Sequence, residues 1–190
     1  MYPLITNKIK ILIPLNKEII LSKGETVISR TDIDGNFLYY NNIFSKISGY
    51  EKNELLYLSH AILRHIDMPK SIFFIIWKSL LAGQNTSAII KNLTKDGNFY
   101  WLFTKFIVQK DNHNNILSFL IQGTQATKGS ILKIEPLYKE LINYERERDV
   151  NSAIRELHSF LNRENIATYN DYVHNITKEK RYGFFSNLIF

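Results

Sequence analysis

The residues with the most chemical capacity in this sequence fall in two runs, Arg64-His65-Ile66-Asp67-Met68-Pro69 and Lys91-Asn92 with Lys95-Asp96-Gly97-Asn98-Phe99-Tyr100-Trp101; Asn41 and Trp77 complete the set. An arginine fork such as Arg64 binds carboxylate or phosphate oxygens two at a time. The His65 imidazole titrates near neutral pH and answers to charge that appears beside it. Asn41 and Asn92 each offer an amide donor and acceptor, and the Trp77 and Trp101 indoles offer flat faces for stacking. Every one of these residues also has a structural reading. Arg64 could pair with a surface acid, and Asn41 could cap a helix. Trp77 lies on the apolar side of a helical pattern and would be buried with or without a ligand, and Trp101 could be sheet packing. His60 and His65 are alternative axial ligands for a haem. The sequence has no phosphate-cradling Gly-rich loop, nucleophile elbow, metal-spaced histidine pair, or kinase or cyclase signature. Glu54, Glu135 and Asp67 are isolated acids, suited to solvated or capping roles. The expectation is a non-enzyme.

Composition narrows the classes further. At 190 residues, 45% apolar and 22% charged, the chain suits one folded domain with a helical appendage and not a disordered polyelectrolyte. Its 24 Lys and Arg against 18 acids give a net charge of +6, scattered along the chain. That pattern favours solubility and does not predict a nucleic-acid stripe. With no cysteine, disulfides, thiolate metal sites, iron–sulfur clusters and cysteine nucleophiles are all excluded. The apolar runs 9–15 and 71–82 are short or interrupted by Pro14 and Lys78, against the roughly 20 apolar residues of a membrane span. The first run also lacks a small-residue cleavage site and is followed by Lys17 and Glu18. A cytoplasmic location is expected.

The elements that must position these side chains can be read from turn signals and periodicity. Residues 26–31 and 36–40 form a hairpin about Asp34-Gly35. Asn41 and Asn42 open a short helix carrying Phe44 and Ile47 that Gly49 ends, and 52–58 reads as another helical turn or two. Asp67 stands where a cap would, Pro69 lies in a first turn, and Ile72, Phe73, Ile76, Trp77, Leu80 and Leu81 recur at helical spacing up to Gly83. Three strands follow at 86–93, 99–108 and 116–124, joined by turns at Lys95-Asp96-Gly97-Asn98 and 111–115. The predicted fold is α+β, a five-stranded antiparallel sheet with short helices on one face, followed by a C-terminal helical extension. The strand 99–108 is apolar on both faces, so its outer face needs a cover, either the N-terminal segment or a partner. From 128 onward Ile131, Ile134, Leu137, Tyr138 and Leu141 form one stripe and Ile154, Leu157 and Leu161 a second, compatible with one long helix or two. The apolar tail 184–190 is expected to dock or to bind something.

These signals in this order resemble a PAS sensor domain over 25–127, with 1–24 as a flanking segment and 128–190 as a helical extension. The Asp-Gly first turn, Gly49-Tyr50 before Glu54-Leu55, and the Lys-Asp-Gly turn before Tyr100-Trp101 carry the general likeness. The run Arg64 to Pro69, with Trp77, Lys91-Asn92 and Glu135-Pro136-Leu137-Tyr138-Lys139, is similar to the flavin-binding PAS domain of the aerotaxis receptor family.

That resemblance implies FAD between the sheet and the helices. It implies Arg64 on the phosphates, Asn41 and Asn92 on the polar edge of the ring, His65 sensing the charge of reduction, and Trp77 and Trp101 stacking. Without cysteine, a flavin would report by redox state and not through a cysteinyl adduct. The family continues into a membrane anchor and a signalling coiled coil, so the expectation is a sensor acting in trans on a membrane chemotaxis receptor, at the inner membrane only through that partner. Docking is expected through the outer sheet face or the stripe of Ile131, Ile134, Leu137 and Leu141, with self-association through the flanks of the domain. The sequence departs from the family pattern at Ala61, Ile66, Thr86, Ala88 and Leu93. Two other readings therefore stand: a PAS interaction module that has lost its cofactor, and a haem or small-metabolite sensor.

Overall fold

The computed structural model describes residues 14–178, so most of the run 9–15 and the whole tail 184–190 lie outside the described residues. Strands β1 (Val27–Thr31) and β2 (Phe37–Tyr40) are joined by a turn that Asp32 organises, its Oδ1 accepting from Asp34 N at 3.0 Å and Asn36 N at 2.8 Å. Asp111 does the same between β4 (Phe99–Lys110) and β5 (Ile116–Gln125), accepting from His113 N and Asn115 N, both at 2.8 Å. With β3 (Thr86–Leu93) these strands form a five-stranded sheet in the order β2-β1-β5-β4-β3, every neighbouring pair antiparallel. The fold class expected from the sequence is the one observed.

Helix α1 (Asn42–Ser48) starts at Asn41, whose Oδ1 accepts from Phe44 N at 2.9 Å, and ends at Gly49 in the left-handed region. The segment 52–58 is not helical. Asn53 and Tyr57 take positive φ there, and the backbone leaves helical geometry to bridge Leu56 to Phe37 beside β2. A single 3-10 turn, His60–Leu63, follows it. Helix α2 (Lys70–Leu81) begins after Pro69, not Asp67. Asp67 is instead drawn into an ion pair with Lys91 at 2.7 Å. The first turn of α2 is capped from far along the chain: Glu145 accepts from Lys70 N at 2.9 Å, and from Ser71 N and Ser71 Oγ at 2.7 and 2.8 Å.

Beyond the sheet, the two stripes form two helices, α3 (Lys128–Glu147) and α4 (Val150–Arg163). The break lies at Arg148 and Asp149, where Asp149 turns extended and caps Ser152 N at 2.7 Å. A third helix, α5 (Tyr169–Thr177), starts at Thr168, which caps Asp171 N. These helices share a continuous core with α2 and the sheet.

The outer face of β3 and β4 is covered by the chain's own C-terminal helices. Trp101 stacks on Tyr138 of α3 with centroids 6.5 Å apart, and Phe103 meets His174 of α5 edge-on at 5.9 Å. Tyr138 Oη donates to Ile89 O at 2.7 Å and shares a hydrogen bond with Tyr169 Oη, and Asn170 Oδ1 accepts from Ser87 N at 2.8 Å. The expected docking stripe is consequently spent inside the fold: Ile134 and Leu141 are 0% exposed and Leu137 3%. Their helical spacing signals burial against the chain's own sheet and helices.

Candidate functional site

The inner face of the sheet and helix α2 enclose a cavity of about 310 Å³. Alternation decides which side chains face it. Along β4 the inward set is Tyr100, Leu102, Thr104 and Phe106; β1 supplies Ser29 and Thr31, β3 Ile90 and Asn92, and β5 Phe119 and Ile121. Helix α2 adds Phe73, Ile76, Trp77 and Leu80 at successive turns. Trp77 meets Phe119 edge-on at 5.6 Å and presses against Gly35, where a Cβ would lie 2.8 Å from the indole. Gly35 is therefore required twice, for its φ of +86° and for this close approach.

Among the described residues, four buried side-chain oxygens lack a hydrogen-bond partner, and three of them, Thr31 Oγ1, Tyr100 Oη and Thr104 Oγ1, belong to cavity-lining residues. Buried polar atoms are almost always paired, so three orphans around one cavity mark a place that asks for polar partners. Burial pushes the Tyr100 hydroxyl well above the usual phenol range, a repulsion from Tyr50 adds to this, and the Asn92 amide across the strand pair opposes it. Tyr100 thus stays protonated, a donor at any physiological pH.

The cavity rim is charged. Arg64 and Lys70 both line it, with Asp34 and Val150. The Arg64 guanidinium lies over the Phe73 ring at 4.7 Å and donates through Nη2 to Met68 O at 3.1 Å. Burial lowers its proton affinity and the charge of Glu145 restores part of it. The backbone of Arg64 bridges Asn92, which joins the two sequence runs.

Of the six residues singled out from sequence, Arg64, Trp77 and Asn92 are brought together around the cavity. The other three stand elsewhere. Asn41 is a structural hub whose Oδ1 accepts from Ile28 N and Phe44 N while its Nδ2 donates to Thr26 O, tying α1 to β1. Trp101 lies on the opposite face of the sheet, because the odd positions of β4 point away from the cavity. His65 is buried against Phe99 on that other side, its Nδ1 accepting from Asp67 N at 3.0 Å. Burial and Lys91 pull its pKa down to about 4 against the opposing pull of Asp67, which leaves the ring neutral.

His60 does line the cavity, stacked on Phe37 at 4.7 Å, and burial lowers its pKa to about 4. Thr31, Tyr100 and Thr104 were not predictable as site residues, since hydroxyls are ordinary in strands. The available signal was polar residues at the inward positions of an otherwise apolar β4. Among the described residues no group of three His, Asp or Glu side chains could hold a metal ion, and no helix is long and apolar enough to cross a membrane.

This geometry can be set beside known proteins. The sequence model of the PAS fold matches residues 37–121. The aerotaxis receptor of Escherichia coli (strain K12) is 36% identical over 121 residues, 64% of this chain and 24% of the receptor. The nitrogen fixation regulatory protein of Klebsiella oxytoca is 29% identical over 80 residues, 42% of this chain and 16% of that protein. The chain thus spans about a quarter or less of the curated relatives it matches. Among solved structures, the dark form of the blue-light photoreceptor Aureochrome1 LOV superposes with a TM-score of 0.52 at 19% identity, over 63% of this chain and 86% of its own. A light–oxygen–voltage domain from work on a flavin analogue gives 0.51 at 22% identity, over 65% and 87%. The strand order, the inward-facing cavity and these matches agree: the chain carries a PAS domain.

Proposed function

We propose that this PAS domain is a redox sensor that holds the ring system of FAD in the cavity and passes its state to a chemotaxis receptor. The observation that carries the reading is the set of orphaned hydroxyls of Thr31, Tyr100 and Thr104 in a cavity lined mostly by apolar side chains. A planar heterocycle with one polar edge satisfies both: aromatic and aliphatic side chains sandwich the rings, and the hydroxyls with Asn92 meet the carbonyl and imide groups. Arg64 and Lys70 in the lining are cations of the kind that hold the phosphates of a dinucleotide. Support also comes from the relatives, one named an aerotaxis receptor and one a light–oxygen–voltage domain studied through a flavin analogue.

A bound flavin supplies a change of charge and protonation on reduction. This chain's residues then do the reporting. Tyr100, held protonated, would donate to a ring atom that gains charge, and that bond would strengthen as the charge grows. Asn92 can turn its amide to offer donor or acceptor, and it lies on the strand that carries the C-terminal helices on its other face. An environment that differs between two ligand states is what biases a two-state domain.

The test is the visible spectrum of the purified protein, with and without added FAD. A yellow protein bleached by dithionite is expected. A colourless protein that takes up no FAD overturns the flavin reading and favours a cofactor-free interaction module, and a Soret band would put haem in its place.

A further inference from the structure

Helix α2 walls the cavity, yet its first turn has no cap of its own: Pro69, at the N-cap position, offers no side-chain hydrogen bond. The donors of that turn are taken by the Glu145 carboxylate at the end of α3, which collects three hydrogen bonds of 2.7–2.9 Å from Lys70 and Ser71. Five residues later Val150, the first residue of α4, is part of the cavity lining. Between them the helix is interrupted. Arg148 leaves helical geometry at φ −136°, ψ −99°, and Asp149 restarts the chain by capping Ser152. A short non-helical joint is thus held at the cavity rim from both sides, beside Lys70, with the charge of Glu145 felt at Arg64.

We propose that the joint between α3 and α4 is a strap closed over the rim of the cavity, latched by Glu145 on the first turn of α2, and that it opens to admit or release the cavity's ligand. The inference rests on the ligand-binding reading of the cavity. A volume near 310 Å³ is at the small end for ligand pockets and suits a ring system, so the rest of a dinucleotide must leave by the rim where the strap lies. The latch is suited to opening, because a carboxylate and helix-terminal donors can each be taken up by water when they part.

The experiment uses the full chain carrying Trp101→Phe, which leaves Trp77 in the cavity wall as the one indole. Acrylamide quenching of Trp77 and stopped-flow binding of FAD are compared with Glu145 intact and in Glu145→Ala and Glu145→Gln. Opening the strap is expected to raise the quenching constant several-fold in Glu145→Ala and less in Glu145→Gln. FAD association and dissociation both accelerate, with their ratio moving less than either. Unchanged quenching in variants that keep the parent's far-UV circular dichroism would overturn the strap, as would unchanged FAD rates. Should the parent bind no FAD, the flavin reading falls and the quenching comparison alone decides the strap. If Glu145→Ala loses its circular dichroism signal, Glu145→Gln and Val150→Ala take its place, and collapse of all three would make Glu145 a stability element only.

Discussion

Two tyrosines on opposite faces of one sheet show what separates the halves of this molecule. Tyr100 and Tyr138 are equally buried, at 0% and 1% exposure. Tyr138, on the outer side, has its hydroxyl bonded to Ile89 O and to Tyr169. Tyr100, on the cavity side, has none, and Thr31 and Thr104 share its condition. Charge follows the same division: Lys91, buried among the outer-side aromatics Phe99 and Trp101, is paired with Asp67, whereas Lys70 stands at the cavity rim with no ion pair of its own among those described. The outer half is a finished core. The inner half has its partners missing, and that asymmetry separates a surface built for stability from one built to receive something.

The sharpest way to break this contrast is at Gly35, where the cavity wall is tightest. Gly35→Ala adds a Cβ at 2.8 Å from Trp77 and imposes a left-handed conformation on alanine, and the two penalties together are expected to cost about 2–4 kcal/mol in denaturant unfolding. Next in size is Tyr138→Phe. It strands the Ile89 carbonyl and the Tyr169 hydroxyl, with an expected loss of about 1–3 kcal/mol.

The matching change on the other face, Tyr100→Phe, removes a hydroxyl that meets only the Asn92 amide. Its stability should move by no more than about 0.5 kcal/mol in either direction, while FAD titration should show weaker binding. If Tyr100→Phe destabilises as much as Tyr138→Phe, the two faces are alike and the contrast fails.

A pH effect concerns the two histidines, one on each side. His60 in the cavity and His65 beside Lys91 both have pKa values lowered to about 4. A free imidazole titrates near 6.5. The unfolded chain therefore takes up protons first as pH falls, and the stability these groups contribute is complete above pH 6.5 and lost between 6.5 and 4. A decline in melting temperature from pH 7 to pH 5 is expected. NMR titration should find both rings neutral at pH 6, and a charged ring there would refute the assigned burial.

Much of the scaffold was legible in the sequence because its signals are local. Asp34-Gly35 and Asp96-Gly97 carry the conformational demand of their turns in their own side chains, and the stripe through Ile72, Ile76 and Leu80 declares a buried helix face. The candidate site was half legible. Arg64, Asn92 and Trp77 sit in distinctive runs, but telling Tyr100 from Trp101 depends on which face of β4 meets the cavity, and a one-residue change of register exchanges them. Where both faces of a strand are apolar, composition cannot decide. The capping of α2 was illegible for a different reason: Glu145 lies 74 positions from Ser71 in sequence, and no local pattern announces a partner so distant.

The bonds that fasten the C-terminal helices to β3 have one more consequence. β3 is the last strand of the sheet, and the outward backbone groups of such a strand invite intermolecular β-pairing and, in time, aggregation. Here they are taken up one by one. Ser87 N goes to Asn170, Ile89 O to Tyr138, Lys91 N to the Met68 sulfur, and Asn92 to the backbone bridge with Arg64. Two of the four guards come from beyond residue 127. A chain shortened there would bare part of this edge, so the extension doubles as an internal safeguard against fibrous self-assembly.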